Sequence, residues 1–472
     1  MENENFKVTL FYGSTTKTVT AKSGEILSDT LRREGIAVDM PCGGNGSCHK
    51  CRVIVDGREE LCCRYKVTGD ISVTLSANGQ IRSAKLRDEK EYDGGSVFIA
   101  LDLGTTTIAA ALCSLDGGIV KSMLADNPQR AYGSDVMSRI AYSTQHGIGE
   151  LNIAIIERLN GMIFELLAYA GGRMPEFITL AGNTTMTSIA AGRDVSSMGV
   201  YPYTPSYTGG EKICGAALGL NVNCDVYIMP CVSAFVGADI VMGLLYAGKP
   251  QKDKWNILLD LGTNAETVIY SRDKIICTSA AAGPCFEGAG ISCGMSAVPG
   301  ALCSIDENSF AVIDNAAPEG VCATGLIDAV AMLIKKGECD ESGYMENESA
   351  ALAGNVSLIR SDIRCYQLAK AAVCSAVDVL MRLAGADFAD IDKFFVAGGF
   401  SSKLNVGNAV LTGLFPAGLA DKFTPLDNSC LGGLIGFPRD FDNAKKICKT
   451  AEYVDLSLNS DFMDLYVENM LF

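Results

Sequence analysis

Alternating and periodic apolar positions divide the chain into a short N-terminal part and a longer C-terminal part. In the first part, strand-like alternation at Phe6–Tyr12 and Thr16–Val19 flanks a turn, and helical spacing follows at Ile26–Glu34. Strand patterns return at Arg52–Val55 and Ile71–Leu75. These segments predict a small α+β domain in which one helix packs on a sheet.

Closely spaced cysteines lie between the predicted helix and the end of this domain. Cys42, Cys48 and Cys51 are separated by five and two residues, and Cys62 and Cys63 follow about a dozen residues later. This spacing is typical of a 2Fe–2S cluster and predicts a β-grasp, ferredoxin-like domain. Zinc, which usually binds two close cysteine pairs, and simple packing of buried thiols are the alternatives. One of the two adjacent cysteines completes the cluster, because neighbouring side chains in a strand point to opposite faces.

A new apolar pattern begins at Val97 and predicts a buried strand that ends at Asp102, a tight turn and a second strand. At the strand end, the carboxylate of Asp102 can hold Mg²⁺ through water. The turn offers backbone N–H and hydroxyl groups to the oxygens of a phosphate. Its residues are Gly104, Thr105, Thr106 and Thr107.

The same pattern recurs in the segment Asn256–Tyr270, where a strand ends at Asp260. The turn after it contains Gly262, Thr263 and Asn264. The repeat predicts duplicated half-domains that share one nucleotide, and Gly398 and Gly399, after a further buried strand, can approach an adenosine closely. The ordered set resembles the actin-like superfamily of acetate and sugar kinases, heat-shock chaperones and actin, which implies an α/β fold of two ribonuclease-H-like subdomains. The alternative is tight core turns without a ligand.

Glu287 is the only charged residue in the glycine- and alanine-rich segment Ser279–Gly294. An isolated carboxylate among small residues is a candidate for positioning Mg²⁺ or a water molecule. The alternative is a glutamate at the start of a helix, which the helix dipole stabilises.

The domain boundaries follow from these patterns. Residues 1–78 form the predicted ferredoxin-like domain, and the polar segment 79–96 is predicted to be a linker, with a short surface strand or helix as the alternative. The first and second actin-like ATPase subdomains are predicted at 97–250 and 251–472, the latter with a C-terminal tail. Helical periodicity predicts long helices at Glu150–Tyr169, Cys322–Lys336 and Asp362–Leu383.

Composition limits the partners and the location. The formal net charge of −16 argues against nucleic acid and anionic membranes, which would repel the protein. The 2 histidines leave little for a histidine-based hydrolase or zinc site. The 19 scattered cysteines, without a signal-peptide pattern, indicate reduced thiols in the cytoplasm and would suit an anaerobe. No run of about 18 apolar residues is present, so no transmembrane helix is expected.

The joined motifs resemble the reductive activators of corrinoid proteins over nearly the whole chain. In order, they read PCGGNGSCHKC, DLGTTT, LAGNTT, DLGTNAE, AAGPCFEGA, DIRCYQLAKAA and VAGGF. The resemblance implies an enzyme that uses ATP and Mg²⁺ to return the cobalt of a methyltransferase corrinoid protein from Co(II) to Co(I). Electron transfer through a 2Fe–2S cluster, an upstream electron donor and a homodimer are implied with it.

The resemblance also assigns the cluster ligands. The family pattern maps onto Cys42, Cys48 and Cys51, and the segment around the adjacent pair favours Cys63 over Cys62. Two features depart from the family: the segment before the fourth cysteine is short, and Cys62 is an extra cysteine. The choice between Cys62 and Cys63 therefore stays open at this point.

Asp102 and Asp260 are expected to place Mg²⁺ and the attacking water, while their turns clamp the phosphates. Other functions fit parts of the sequence. An ATP-driven electron donor to a dehydratase shares the actin-like fold, but in that family the cluster usually lies between subunits. A redox-regulated, chaperone-like ATPase would also join a cluster to an ATPase, whereas a small-molecule kinase would leave the ferredoxin-like domain idle.

Overall fold

A computed structural model describes residues 5–12, 15–34, 36, 38, 51–75, 82–83, 86, 88–133, 135–436 and 440–472. The chain divides into two compact units, Met1–Met242 with Gly433–Ala444 and Gly243–Gly432 with Lys445–Phe472. In the part of the chain that the structure describes, no helix is both long enough and apolar enough to cross a membrane.

A β-grasp sheet forms the N-terminal part of the chain. Its elements are β1 (Asn5–Tyr12), β2 (Thr15–Lys22), α1 (Leu27–Arg33), β3 (Arg52–Val55), β4 (Arg58–Leu61) and β5 (Ile71–Leu75). The strand order is β2-β1-β5-β3-β4, with β1 parallel to β5. Leu27 and Leu31 of α1 are buried against the inner residues of the sheet, Val8 and Leu10 among them. The predicted β-grasp domain is confirmed.

The sequence pattern does not predict strand β4, because residues 58–60 are charged and show no apolar alternation. The strand forms through a tight turn in which Asp56 and Gly57 both have positive φ, at 47° and 82°. This turn folds the chain back and pairs Arg52 with Leu61. The resulting hairpin places the cysteines on either side of it next to each other.

A mixed sheet organises the first half of the C-terminal part. Its elements and the helices around it are β6 (Arg82–Ser83), β7 (Val97–Leu103), β8 (Thr107–Ser114), β9 (Ile119–Asp126), α2 (Val136–His146), α3 (Gly149–Ala168), β10 (Phe177–Gly182), α4 (Thr184–Ala190), β11 (Glu211–Cys214), β12 (Asp225–Ile228) and α5 (Ala238–Ala247). The strand order is β11-β12-β10-β7-β8-β9-β6. Helix α3 covers this sheet with an apolar face that includes Leu151, Ile155 and Leu159, as its periodicity predicts.

The described part of the segment 79–96 is attached to the edge of this sheet. Strand β6 pairs with β9, and Glu89 accepts hydrogen bonds from the N–H of Ser122 at 2.9 Å and from Lys121 at 3.0 Å. Residues 79–81, 84–85 and 87 lie outside the described residues. A short strand, the alternative to a linker, is therefore present near the start of this segment.

A second mixed sheet organises the rest of the chain. The elements are β13 (Trp255–Leu261), β14 (Ala265–Tyr270), β15 (Ile275–Ala280), β16 (Ala301–Ile305), β17 (Phe310–Val312), β18 (Gly320–Val321), α6 (Ala323–Lys335), β19 (Ser349–Ala353), β20 (Val356–Ile359), α7 (Arg360–Ala384), β21 (Ile391–Ala397), α8 (Val406–Leu411), β22 (Phe423–Leu426), α9 (Ser429–Ile435), α10 (Phe441–Thr450), β23 (Ala451–Tyr453) and α11 (Phe462–Glu468). The main sheet runs β22-β21-β13-β14-β15-β23. The predicted long helices in this half correspond to α6 and α7, whose apolar faces are buried.

The two sheets repeat one topology. The order β12-β10-β7-β8-β9 in the first corresponds to β22-β21-β13-β14-β15 in the second. In both, an antiparallel meander continues into parallel strands, with β7 parallel to β10 and β13 parallel to β21. The repeat confirms the predicted actin-like fold of duplicated half-domains. It also places Asp102 and Asp260 at equivalent strand ends, where α/β sheets bind their ligands.

Candidate functional site

The cysteine site is described in part, because Cys42 and Cys48 lie outside the described residues. Cys51 directly precedes β3, and Cys62 and Cys63 directly follow its partner β4. The N–H of Cys62 donates to the carbonyl oxygen of Cys51 at 3.0 Å, and the Sγ atoms of Cys51 and Cys63 lie 3.2 Å apart. The hairpin thus brings together two of the predicted ligands.

These thiols form a sulfur donor set of the kind that holds iron–sulfur clusters. Cys51 and Cys62 have no exposed surface and Cys63 is 7% exposed, so the donors are shielded from water. The carbonyl oxygen of Cys62 accepts the N–H of Ser28, which ties this corner to helix α1. Within the described residues no group of three or more His, Cys, Asp or Glu side chains is arranged to bind a metal ion. The described thiols fit part of the thiolate set of an iron–sulfur cluster, and the predicted ligands Cys42 and Cys48 remain a prediction.

The first phosphate turn is held through its carbonyl groups. The carbonyl oxygen of Gly104 accepts from the Asn127 side chain at 2.9 Å, and that of Thr106 accepts from the Asn127 N–H, also at 2.9 Å. A Cβ atom on Gly104 would lie 2.3 Å from the carbonyl oxygen of Thr107, so only glycine fits this position. Because these carbonyl oxygens are hydrogen-bonded within the protein, the groups of the turn that can bind a phosphate are its backbone amides and side-chain hydroxyls.

Asn183 connects this turn to the neighbouring strand β10 and helix α4. Its side chain caps α4 by accepting the N–H of Met186 at 2.9 Å, as expected for a cap residue, and it donates to the hydroxyl of Thr105 at 3.0 Å. Asp102 lies opposite Ala181 in the parallel pairing of β7 and β10. The structure therefore brings the LAGNTT segment beside the predicted Asp102 turn.

Arg139 of α2 is hydrogen-bonded to the first phosphate turn. The sequence pattern does not identify this residue as part of the site. The side chain has no exposed surface. Its guanidinium donates to the carbonyl oxygens of Thr105 at 2.6 Å and Gly133 at 2.9 Å, and to the side chain of Gln129 at 3.3 Å. A lone arginine in an amphipathic helix normally lies on the solvent side, so only the fold reveals this role.

Arg139→Met is expected to destabilise the first unit by about 3 kcal/mol and to weaken ATP binding, because two buried carbonyl oxygens lose their donors. Thermal unfolding with and without MgATP measures both effects. Arg173→Met, which removes an exposed arginine from the same unit, is the matched control and should change stability by less than about 0.5 kcal/mol. Equal melting midpoints for the two variants would contradict the supporting role of Arg139.

The second phosphate turn contacts Glu287. The Oε1 atom of Glu287 accepts both the N–H and the hydroxyl of Thr263, each at 2.8 Å. The turn is closed by a hydrogen bond from the Gly262 N–H to the Asn264 carbonyl oxygen at 3.0 Å. Glu287 ends a short 3₁₀ helix at Pro284–Glu287 rather than starting an α-helix. The structure thus joins the predicted Glu287 to the predicted turn.

The strand end at Gly398 lies beside Asp260. Strand β21 is parallel to β13, and Ala397 pairs with Asp260. Gly398 has a φ of 111°, and a Cβ atom there would lie 3.1 Å from the carbonyl oxygen of Leu261 and 3.9 Å from Oδ1 of Asp260. Glycine is required by both the conformation and the space. At Gly399 no atom lies within 4 Å of such a Cβ, so this side of the strand end is open for a ligand.

Comparison with known families covers most of the chain. A 2Fe–2S iron–sulfur cluster binding domain matches residues 11–70, the RACo middle region matches 97–251, and the C-terminal domain of RACo, the ASKHA domain, matches 254–472. The cluster domain and the actin-like ATPase domain predicted from the motifs are thereby confirmed.

Individual relatives also match over most of this chain. The corrinoid activation enzyme RamQ of Eubacterium limosum is 28% identical over 95% of this chain and 96% of that protein. The Co(II) methylated amine-specific corrinoid protein reductase of Methanosarcina barkeri is 25% identical over 78% of this chain and 76% of its own. Among solved structures, a reductive activator for corrinoid, iron–sulfur protein superposes with a TM-score of 0.71 and 26% identity, covering 99% of this chain and 98% of that one.

Proposed function

We propose that this chain, which belongs to the reductive activators of corrinoid proteins, uses ATP to return the cobalt of a partner corrinoid protein from Co(II) to Co(I). The observation that carries the proposal is the union of a 2Fe–2S domain with an actin-like ATPase domain in one chain. Relatives that match over most of their length are named as activators or reductases of corrinoid proteins.

The electron path begins at the cysteine hairpin. Cys42, Cys48, Cys51 and Cys63 would hold a 2Fe–2S cluster, which would supply a one-electron relay between an upstream donor and the corrinoid protein. The short Sγ separation between Cys51 and Cys63 supports this ligand set. Burial of these thiols keeps water away from the donors, and the backbone bond from Cys62 to Cys51 fixes their spacing.

Each of the two units contains one phosphate turn whose donors suit the oxygens of a nucleotide. Asp102, before the first turn, and Asp260, before the second, would hold the water shell of Mg²⁺, and the amide and hydroxyl groups of the turns would bind phosphate oxygens. The turn residues in this role are Gly104, Thr105, Thr106, Thr107, Gly262, Thr263 and Asn264. Glu287 orients the Thr263 donors, as their hydrogen bonds support, and Gly398 and Gly399 leave room for the adenosine.

ATP is needed because Co(I) forms at a very low potential, below that of an ordinary 2Fe–2S centre. For a one-electron transfer, a deficit of about 59 mV shifts the equilibrium tenfold against the product. A protein contact that changes the axial ligation of the metal reduces such a deficit. We assign ATP binding to capture of the Co(II) protein and hydrolysis to release of the Co(I) protein.

The organisation proposed for this function keeps the boundaries drawn from the sequence: the cluster domain at 1–78, the linker at 79–96 and the ATPase subdomains at 97–250 and 251–472. The partner is a corrinoid protein of a methyltransferase system, the active form is a homodimer, and the location is the cytoplasm. The cysteines of the described residues are free thiols, which supports a reducing compartment.

The test mixes the full-length protein with a Co(II) corrinoid protein, a low-potential reductant and MgATP. We expect the Co(I) absorbance band to appear with ATP and to stay absent with ADP, because the electron transfer is uphill without the nucleotide. Omission of the protein is the second control. A flat spectrum with several corrinoid proteins would contradict the proposal and favour an electron donor to another low-potential metalloenzyme.

A further inference from the structure

Asp239, on the first turn of α5, lies in the same corner of the first unit as the phosphate turn. A Cβ atom on Gly237 would lie 2.7 Å from Oδ1 of Asp239, 2.4 Å from Cα of Asn183 and 2.8 Å from the carbonyl oxygen of Gly182. Asn183 in turn donates to the hydroxyl of Thr105. The carboxylate of Asp239 is therefore packed against the end of β10, beside the groups proposed to bind phosphate.

A second carboxylate faces this corner from β7. Asp102 pairs with Ala181 at the end of β10. Burial raises the pKa of Asp239 to about 7, and the negative charge of Asp102 adds to the effect. The thiol of Cys231, which also faces Asp239, is neutral because burial raises its pKa to about 11. These surroundings favour a carboxyl group that takes up and releases a proton near neutral pH.

The carboxylate of Asp239 forms no ion pair with a described residue. In the described part of the chain, no basic side chain forms a salt bridge with it, and Oδ1 accepts the N–H of Ile240 at 2.9 Å. A half-buried acidic side chain beside another carboxylate is a candidate for a functional role rather than a stabilising one. Asp239 has no part in the Mg²⁺ and phosphate binding proposed for Asp102, Asp260 and the turns.

We propose that Asp239 is the proton acceptor in ATP hydrolysis, an inference that rests on the ATPase function proposed above. The oxygen of the attacking water bonds to the terminal phosphorus, and the bond from this phosphorus to the bridging oxygen of ADP breaks. The proton of the water passes to the Asp239 carboxylate and from there to solvent. No electron is transferred in this step, and Asp102 keeps its separate role beside the Mg²⁺ hydration shell.

Steady-state hydrolysis of MgATP by the full-length protein tests this role. Asp239→Asn is expected to lower kcat about 10²-fold, because the amide keeps the shape of the side chain and accepts no proton. KM and the equilibrium affinity for MgATP should stay within about twofold, since no phosphate contact is removed. Asp225→Asn is the matched control on a half-exposed carboxylate, paired with Lys212 at 3.0 Å, and should leave kcat unchanged.

Chemical rescue distinguishes a proton acceptor from a structural residue, because an added carboxylate restores the hydrolysis rate only in the first case. Formate added to Asp239→Ala is expected to raise hydrolysis about tenfold by supplying a carboxylate in the space left by the side chain, while chloride should have no effect. A wild-type kcat in Asp239→Asn, or a loss of kcat matched by an equal loss of ATP affinity, would overturn the inference. Absence of hydrolysis in the wild-type protein would instead overturn the proposed function, so the two failures are distinguishable.

Discussion

Cys63→Ser is expected to abolish corrinoid reduction, because the 2Fe–2S cluster loses its fourth thiolate and with it the electron path. Cys63 has its Sγ atom 3.2 Å from that of Cys51, a contact that only the β3–β4 hairpin creates. Iron and sulfide content, the visible absorbance of the purified protein and the electron paramagnetic resonance of its reduced form measure cluster loss directly. Reduction of Co(II) to Co(I) measures the consequence.

Cys62→Ser is the matched control for this experiment, since it makes the same exchange at the adjacent, equally buried position. We expect the control to keep the cluster and most of the activity, because it leaves the Cys63 thiol and the backbone bond from Cys62 to Cys51 in place. ATP hydrolysis should persist in both variants, which separates loss of the cluster from loss of the fold. A clusterless Cys62→Ser beside an intact Cys63→Ser would reverse the ligand assignment.

Asp260→Asn is expected to lower the rate of ATP hydrolysis about 10³-fold and corrinoid reduction with it, while the absorbance of the cluster is unchanged. The carboxylate lies at the end of β13, half-buried, with the strand end at Gly398 close beside it. An amide is uncharged and no longer attracts the Mg²⁺ hydration shell, so the charge that develops on the phosphate in the transition state is less well stabilised.

Asp273→Asn, on the exposed turn between β14 and β15, is the control for Asp260→Asn and should hydrolyse ATP at the wild-type rate. Nucleotide binding measured without turnover distinguishes weaker affinity from slower chemistry. Wild-type turnover in Asp260→Asn would show that this residue is not part of the catalytic machinery. Its position, which repeats that of Asp102, would then be a structural feature of the strand end.

The candidate site was predictable where a local rule links residue type to chemistry. The cysteine spacing, the strand–Asp–Gly–Thr repeat and the Gly398-Gly399 pair are short segments whose backbone conformation is set by their own residues. Glu287 could be identified as unusual for its surroundings, but its two hydrogen bonds to Thr263 join segments 24 residues apart. Such a contact depends on the packing of the whole sheet.

Arg139 and Asp239 show what local rules miss. Each is an ordinary charged residue in the first turns of a helix, where solvent exposure is the usual outcome. Arg139 is buried because the fold packs it against the turn after β7, the segment at Gly133 and Met186 of α4. Its donors are then satisfied by the carbonyl oxygens of Thr105 and Gly133. The pKa of Asp239 is raised because the fold buries its carboxyl group, and the charge of Asp102 at the end of β7 adds to the effect.

By itself, the sequence determined the order of domains, the elements with strong apolar periodicity, and the residue types that carry the chemistry, because all three depend on interactions between near neighbours in the chain. The tertiary structure decided the rest. It created β4 from a polar segment through the turn at Asp56 and Gly57, placed β6 at a sheet edge and brought Cys63 to Cys51. These outcomes depend on contacts between residues that are distant in sequence, which no local pattern encodes.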